Sequence, residues 1–236
     1  MTDGRHTRDV YDAWHERVSG AAALDTPWHR LVQDVLDVPR DLDGRRVLEI
    51  ACGRGDFVEW CASHSSPSCL LAADFSMGAV GLARRRLNGH RAVRFVQADA
   101  QAIALPSNAM DTVICCETIE HVPDPSRAVS ELARVLRPGG RLFLTTPNYL
   151  GPIGAYRGYL RLTGRRFTEE GQPINHFLLA LRVRHWVRSA GLRIVVTESS
   201  GHYLPFPGRP PILVVDRTRW LAPFGLHALT VAEKPR

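Results

Sequence analysis

Five short apolar runs, separated by stretches of helical length, set the fold of this chain: VLEIAC (47–52), CLLAAD (69–74), AVRFVQAD (92–99), DTVICC (111–116) and RLFLTT (141–146). Runs this short, bounded by turn residues and rich in β-branched side chains, read as strands buried on both faces. Between them FVEWCASH, MGAVGLARRRLN and PSRAVSELARVL have helical length, and an irregular piece surrounds ALPSNAM. Strand–helix alternation implies crossover connections and therefore parallel strands. Right-handed crossovers then place helices on both faces, so the expected class is α/β with a doubly wound, mostly parallel sheet.

Around that core the pattern changes. Residues 7–38 read as helices: in WHRLVQDVLDV the apolar positions Trp28, Leu31, Val32, Val35 and Leu36 recur at helical spacing, with Thr26 as N-cap and Pro27 at the first helical position. After the core, residues 147–176 are rich in Gly, Pro, Tyr and Arg and fit neither a simple helix nor a strand. A helix, FLLALRVRHWVRSA, then leads through Gly191 to a strand, LRIVVTES (192–199). The irregular stretch GHYLPFPGRPP precedes a last strand, LHALTVAE (226–233). One domain over 1–236 is expected, divided into an N-terminal helical cap (1–42), a core (43–146), an insertion after the fifth strand (147–176) and the C-terminal part of the sheet (177–236).

Composition narrows the function classes. With 44% hydrophobic and 23% charged residues the chain is that of a packed globular protein, not a disordered one. No apolar run approaches the roughly 20 residues a membrane span needs, and the charged N-terminus offers no signal region, so a cytoplasmic protein is expected. Five cysteines without a C-x-x-C pair read as reduced core thiols. The net charge of +6 lies in the C-terminal third, where arginines interleave with apolar residues in RGYLRLTGRR and LRVRHWVR. That pattern fits a solvated helix face at least as well as a nucleic-acid surface.

The chemistry concentrates at strand ends. Glu49-Ile-Ala-Cys-Gly53-Arg-Gly55 follows the first strand and opens a helix, where glycines let the backbone approach a ligand and unpaired N–H groups attract partial negative charge. It lacks the third glycine of a dinucleotide cradle. A glycine pair beside an acid suits instead a ligand carrying an amino group and a sulfonium. Asp74 ends the second strand, where a carboxylate can accept two ribose hydroxyls, and Asp99 ends the third, where it and the N–H of Ala100 can pair with an adenine edge. Each acid alone also fits a helix N-cap; all three in order along one sheet edge point to a nucleoside-containing ligand.

VLEIACGRGDF, AADFS, QADAQAIALPSNAMDTVICCETIEHVPDP and LRPGGRLFLTTPN resemble, in order and spacing, the class I S-adenosylmethionine-dependent methyltransferases. The resemblance covers residues 43–146 and extends in outline to 233. It implies a Rossmann-like sheet of seven strands with an antiparallel last strand. It also implies S-adenosylmethionine as cofactor, with Glu49, Gly53, Gly55 and Cys116 around its methionine part, Asp74 at the ribose, Asp99 and Ala100 at the adenine, and Ala51 and Phe75 also in the cofactor pocket. An N-terminal arginine often completes such a pocket, and Arg30 is the candidate. The chain departs from the family at Ala51-Cys52, where many members have a glycine.

The fourth strand ends in Glu117-Thr-Ile-Glu120-His121. If these residues start a helical turn, the two carboxylates and the imidazole converge. Such a set suits a divalent metal, Mg²⁺ among the options, as the polyprenyl-dihydroxybenzoate (ubiquinone-pathway) O-methyltransferases and the small-RNA 3′-terminal 2′-O-methyltransferases suggest. Similar methyltransferases use the histidine without a metal, as a base or under a loop. His176, in PINH, is a second catalytic candidate, with His202, in SGHY, behind it. The 147–176 insertion sits where such enzymes build a substrate lid, with Tyr149, Tyr156, Tyr159 and Phe167 as aromatic surface and Arg157, Arg161, Arg165 and Arg166 as anion contacts. The expected activity is O-methylation of a small-molecule or lipid-like metabolite, of the natural-product or quinone-precursor kind. The alternatives are a metal-dependent 2′-O-methyltransferase acting on RNA 3′ ends and a non-catalytic cofactor-binding regulator.

Overall fold

Each of the five apolar runs forms a strand in the structure, a computed structural model that describes residues 4–17, 26–164, 174–206, 209–217 and 220–236. Arg165, Arg166 and Phe167 of the insertion lie outside the described residues. Helices α1 (Gly4–Arg17), α2 (Pro27–Val35) and α3 (Val38–Asp41) come first. The core follows as β1 (Arg46–Ile50), α4 (Asp56–His64), β2 (Cys69–Asp74), α5 (Met77–Arg86), β3 (Val93–Gln97), β4 (Met110–Cys116), α6 (Pro125–Val135) and β5 (Leu136–Pro147). Then come α7 (Pro152–Leu162), α8 (Ala180–Ser189), β6 (Arg193–Ser200), β7 (His202–Phe206), β8 (Arg209–Val215) and β9 (His227–Glu233).

Seven strands form one sheet in the order β3-β2-β1-β4-β5-β9-β6, and β9 runs antiparallel to both of its neighbours. The alternation along each strand splits the core in two. Leu48 and Ile50 of β1, Val113 and Cys115 of β4, and Leu142 and Leu144 of β5 join α6 and α8 through Val129, Leu132, Val183 and Val187. Val47, Ile114 and Phe143, their neighbours along the same strands, join α2, α4 and α5 through Leu31, Val32, Phe57, Val58, Ala83 and Leu87. A sheet covered on both faces needs apolar residues on both, which is why the strands read as continuous runs. No described helix is long and apolar enough to cross a membrane.

The N-terminal helices cap as expected: the Thr26 hydroxyl accepts the His29 N–H at 3.3 Å, with Pro27 in the first turn. Three local expectations change. β5 begins at Leu136, five residues ahead of the expected Arg141, because Leu136 pairs with Met110 and Arg137-Pro138-Gly139-Gly140 runs on as strand. The insertion contains α7, although its glycines argue against a helix. A Cβ at Gly154 would lie 1.6 Å from the Tyr149 carbonyl oxygen, so this glycine allows close backbone approach and does not break the helix. The stretch GHYLPFPGRPP is no irregular loop; its residues belong largely to β7 and β8, which pair as a separate two-stranded antiparallel ribbon.

Candidate active site

The strand order reverses between β1 and β4, and an open α/β sheet binds ligands at the carboxyl edge of such a switch point. A cavity of about 670 Å³ lies there, within the range of small-molecule sites. Its wall includes Glu49, Ala51, Gly53, Asp74, Phe75, Asp99, Ala100 and Cys116, eight of the ten expected cofactor residues.

The loop after β1 has three residues in the left-handed region, Ala51 (φ 61°), Gly53 (φ 53°) and Gly55 (φ 82°). The backbone there requires what glycine gives freely, which accounts for the family's usual glycine in this loop. An Ala51→Gly variant is therefore expected to gain about 0.5–1 kcal/mol of stability, the relief of strain exceeding the added freedom of the unfolded chain. Chemical denaturation reads this, and a lower midpoint would contradict it. Gly55 does not line the cavity. A Cβ on it would meet Leu87 Cδ1 at 2.8 Å and Ala83 Cβ at 3.1 Å, so its smallness lets the start of α4 pack on α5.

Asp74 both faces the cavity and holds this loop. One carboxylate oxygen accepts the Gly53 N–H at 2.9 Å and the other the Ser76 N–H at 2.9 Å. Asp99 accepts the Gln101 N–H at 2.8 Å. Glu49 is different: it is 4% exposed, and its buried Oε2 has no hydrogen-bond partner among the described residues. Burial, then the charges of Asp56 and Asp74, raise its carboxyl well above the ordinary range. A buried acceptor without a donor, at the cavity wall, fits a ligand ammonium. Burial and the nearby Glu49 likewise raise the Cys116 thiol, which stays neutral.

The roof comes from the N-terminal helices, through Arg8, Tyr11, Trp14, Trp28 and His29. Arg30 is exposed and off the wall, because α2 turns Leu31 and Val32 into the core. Arg8 reaches the cavity from α1, its guanidinium 5.1 Å from the Phe75 ring centre, and Arg54 reaches it from the loop after β1. The Tyr11 hydroxyl donates to the His121 carbonyl at 3.1 Å and latches α1 onto the turn after β4. Burial, then the charges of Glu120 and Asp74, raise the Tyr11 pKa, so it remains a donor at neutral pH. Tyr11→Phe removes one partly buried hydrogen bond, worth about 1 kcal/mol, and is expected to weaken cofactor binding about fivefold by calorimetric titration. Unchanged binding would separate the latch from the pocket.

The floor is the turn after β4, and its geometry departs from expectation. Glu117 takes φ 44°, outside any helix, and only Ile119–His121 form a single 3-10 turn. The carboxylates therefore separate. Glu117 Oε2 lies 3.3 Å from His227 Nδ1, whereas Glu120 Oε1 lies 3.6 Å from His121 Nε2. Among the described residues no group of three or more His, Cys, Asp or Glu side chains is placed to hold a metal ion. Glu117, Glu120 and His121 thus do not converge on one point as the helical-turn reading expects; Glu117 pairs with His227 and Glu120 with His121.

His121 lines the cavity, and its Nδ1 lies 2.8 Å from the Ile174 carbonyl. A carbonyl only accepts, so Nδ1 carries the proton and Nε2 is the basic nitrogen. His176 is off the wall: its Nε2 donates to the Val122 carbonyl at 2.9 Å and its N–H to the Glu120 carbonyl at 2.8 Å, bracing the turn from behind. His202 is the first residue of β7, its ring nitrogens 3.1 Å and 2.8 Å from the Val215 and Leu221 carbonyls. In the insertion Arg157 is buried against the Tyr149 ring at 4.3 Å, so it packs this segment instead of presenting a charge to solvent. Sequence reasoning missed His227. A parallel strand delivers its last residue to this edge, and an antiparallel one delivers its first; His227 is the first residue of β9.

Comparisons with known proteins bear on this site. A model of a methyltransferase domain matches residues 48–144. The ubiquinone biosynthesis O-methyltransferase of Coxiella burnetii is 28% identical over 171 residues, 70% of each chain. The demethylmenaquinone methyltransferase of Clavibacter sepedonicus is 38% identical over 101 residues, 43% of this chain and 40% of that one. Among solved structures, a methyltransferase in complex with the Haloferax volcanii Trm112 methyltransferase activator superposes with a TM-score of 0.73 at 22% identity, covering 98% of both chains.

Proposed function

Because the chain belongs to the class I S-adenosylmethionine-dependent methyltransferases, we propose that its acceptor is a hydroxyl of a small or lipid-like metabolite and that His121 removes the proton. The observation that carries this reading is the orientation of His121: a backbone carbonyl fixes its tautomer, its basic nitrogen is Nε2, and Glu120 lies 3.6 Å away to balance an imidazolium. S-adenosylmethionine, when bound, supplies a methyl group already activated on sulfur. The protein's work is then alignment, exclusion of water and removal of one proton.

On this reading Glu49 takes the amino group, Asp74 the ribose hydroxyls, and Asp99 with Ala100 the adenine edge. Arg8, Tyr11 and Trp14 close the roof, and the acceptor enters from the side of Pro147, Leu226 and His227. The name of one relative specifies O-methylation in ubiquinone biosynthesis, which supports a hydroxyl acceptor here. The test is turnover of labelled cofactor by purified protein on a panel of phenols, vicinal diols and short RNAs, with and without chelator. Product on phenols that is indifferent to chelator is expected. Product only on RNA, or none on any hydroxyl, would overturn the proposal.

A further inference from the structure

Hydrophobic burial does little to hold helix α1 in place. Its apolar residues are Val10, Tyr11, Ala13 and Trp14, none of them fully buried, so this short helix depends on specific contacts with the rest of the protein. Arg8, Tyr11 and Asp12, at i, i+3 and i+4, share one face. Two of them meet Phe75: the Arg8 guanidinium lies over its ring, and the Tyr11 ring stands edge-on at 6.3 Å between centres. Asp12 is off the cavity wall and acts through other groups.

Asp12 Oδ1 accepts the Ser76 hydroxyl and, at 3.1 Å, the Gly78 N–H. Both donors lie at the start of α5, where unpaired N–H groups and their partial positive charge favour a carboxylate. Ser76 is wholly buried and fully used: its oxygen also accepts the Ala79 N–H at 3.0 Å, and its own N–H goes to Asp74 at 2.9 Å. Asp74 in turn accepts the Gly53 N–H. Asp12, Ser76, Asp74 and Gly53 thus form one chain of hydrogen bonds from α1 to the loop after β1. Tyr11, the residue beside Asp12, bonds the His121 carbonyl across the cavity. Adjacent residues of one helix therefore hold the Asp74 turn and the His121 turn together.

We propose that Asp12 is a positioning residue for methyl transfer: it fastens α1 to the Asp74 turn, so that a filled cofactor pocket holds the His121 turn in place through Tyr11. The consequence for turnover rests on the reading of His121 as the base; the link between the two turns does not. By reciprocity, whatever steadies one turn steadies the other as long as α1 is fastened. The acceptor oxygen matters here and the charge does not, because one oxygen takes both bonds and an asparagine carbonyl offers two lone pairs in the same place. Alanine offers none.

Hydrogen–deuterium exchange of the full chain, free and with the demethylated cofactor S-adenosylhomocysteine, tests the link without turnover. In the wild type the ligand is expected to slow exchange about fivefold or more in both residues 51–56 and residues 118–122. In Asp12→Ala the first protection should remain and the second should fall below about twofold, whereas Asp12→Asn should match the wild type. Ser76→Gly, which keeps the N-cap backbone but removes the hydroxyl, should also weaken the second protection. At saturating cofactor and acceptor, Asp12→Ala should lower kcat about tenfold, adding Tyr11→Phe should lower it no further, and Asp12→Asn should restore it. Circular dichroism on each variant checks the fold. Protection of both segments in Asp12→Ala at the wild-type level would overturn the proposal, since the link would be dispensable. Loss of both would also overturn it, since Asp12 would then only support the cofactor pocket. An unchanged kcat in Asp12→Ala while His121→Ala is inactive would overturn it too. Full activity of both variants would instead overturn the reading of His121 as the base, and the exchange result would decide the link.

Discussion

A Glu49→Gln variant is expected to bind S-adenosylmethionine about 10- to 100-fold more weakly, while its cofactor-free form melts at a higher temperature than the wild type. Both effects come from one carboxylate. It is buried, Oε2 has no partner among the described residues, and Asp56 and Asp74 add like charge nearby. A cationic amino group meets a ready acceptor there, and a charge-assisted hydrogen bond of this kind is worth about 1.5–3 kcal/mol. Without the ligand, the same carboxylate opposes folding.

The sign of the pH dependence follows. The folded-state pKa of Glu49 is raised, so its favourable contribution is complete below the unfolded carboxylate range and is lost as pH rises toward the folded value. Cofactor-free wild type should therefore lose stability across that window, and the Glu49→Gln variant, whose amide does not titrate, should not. Thermal scans of both proteins from acid to neutral pH, with and without cofactor, check this. A variant that binds the cofactor normally would remove Glu49 from the site.

His121→Ala is expected to lower kcat on a hydroxyl acceptor about 100- to 10,000-fold, with cofactor affinity nearly unchanged. The acidic limb of the kcat/KM profile, where the imidazole is protonated, should disappear with it. Glu120→Gln should lower kcat less, because it removes the counter-charge and leaves the tautomer fixed by the Ile174 carbonyl. Chelator should change neither variant nor wild type. Full activity of His121→Ala would mean that acceptors of low pKa need no base, or that proton removal falls elsewhere on the wall.

The two halves of the site were unequally legible. Glu49, Asp74 and Asp99 could be placed from the sequence because each follows a short apolar run, and a parallel strand carries its last residues to one known edge. Glu117, Glu120 and His121 could be placed on that edge as well. Their convergence could not be read, because it assumed a helical turn from residue 117, and the backbone there takes φ 44° instead. Arg30 failed for a related reason. Periodicity shows that α2 has a buried face, and Arg30 lies beside that face and not above the cavity, which Arg8 reaches from a different helix.

The sequence by itself determined the doubly wound sheet and the acids at its carboxyl edge that line the cavity, since those depend on local periodicity and strand ends. Only the tertiary structure decided which imidazole meets which carboxylate. His227 reaches Glu117 across 110 positions because β9 runs backwards beside β5, and spacing along the chain carries no trace of that pairing. The ribbon was likewise hidden: its prolines and glycines read as loop until β7 and β8 paired, and its exposure depends on what the rest of the fold leaves uncovered.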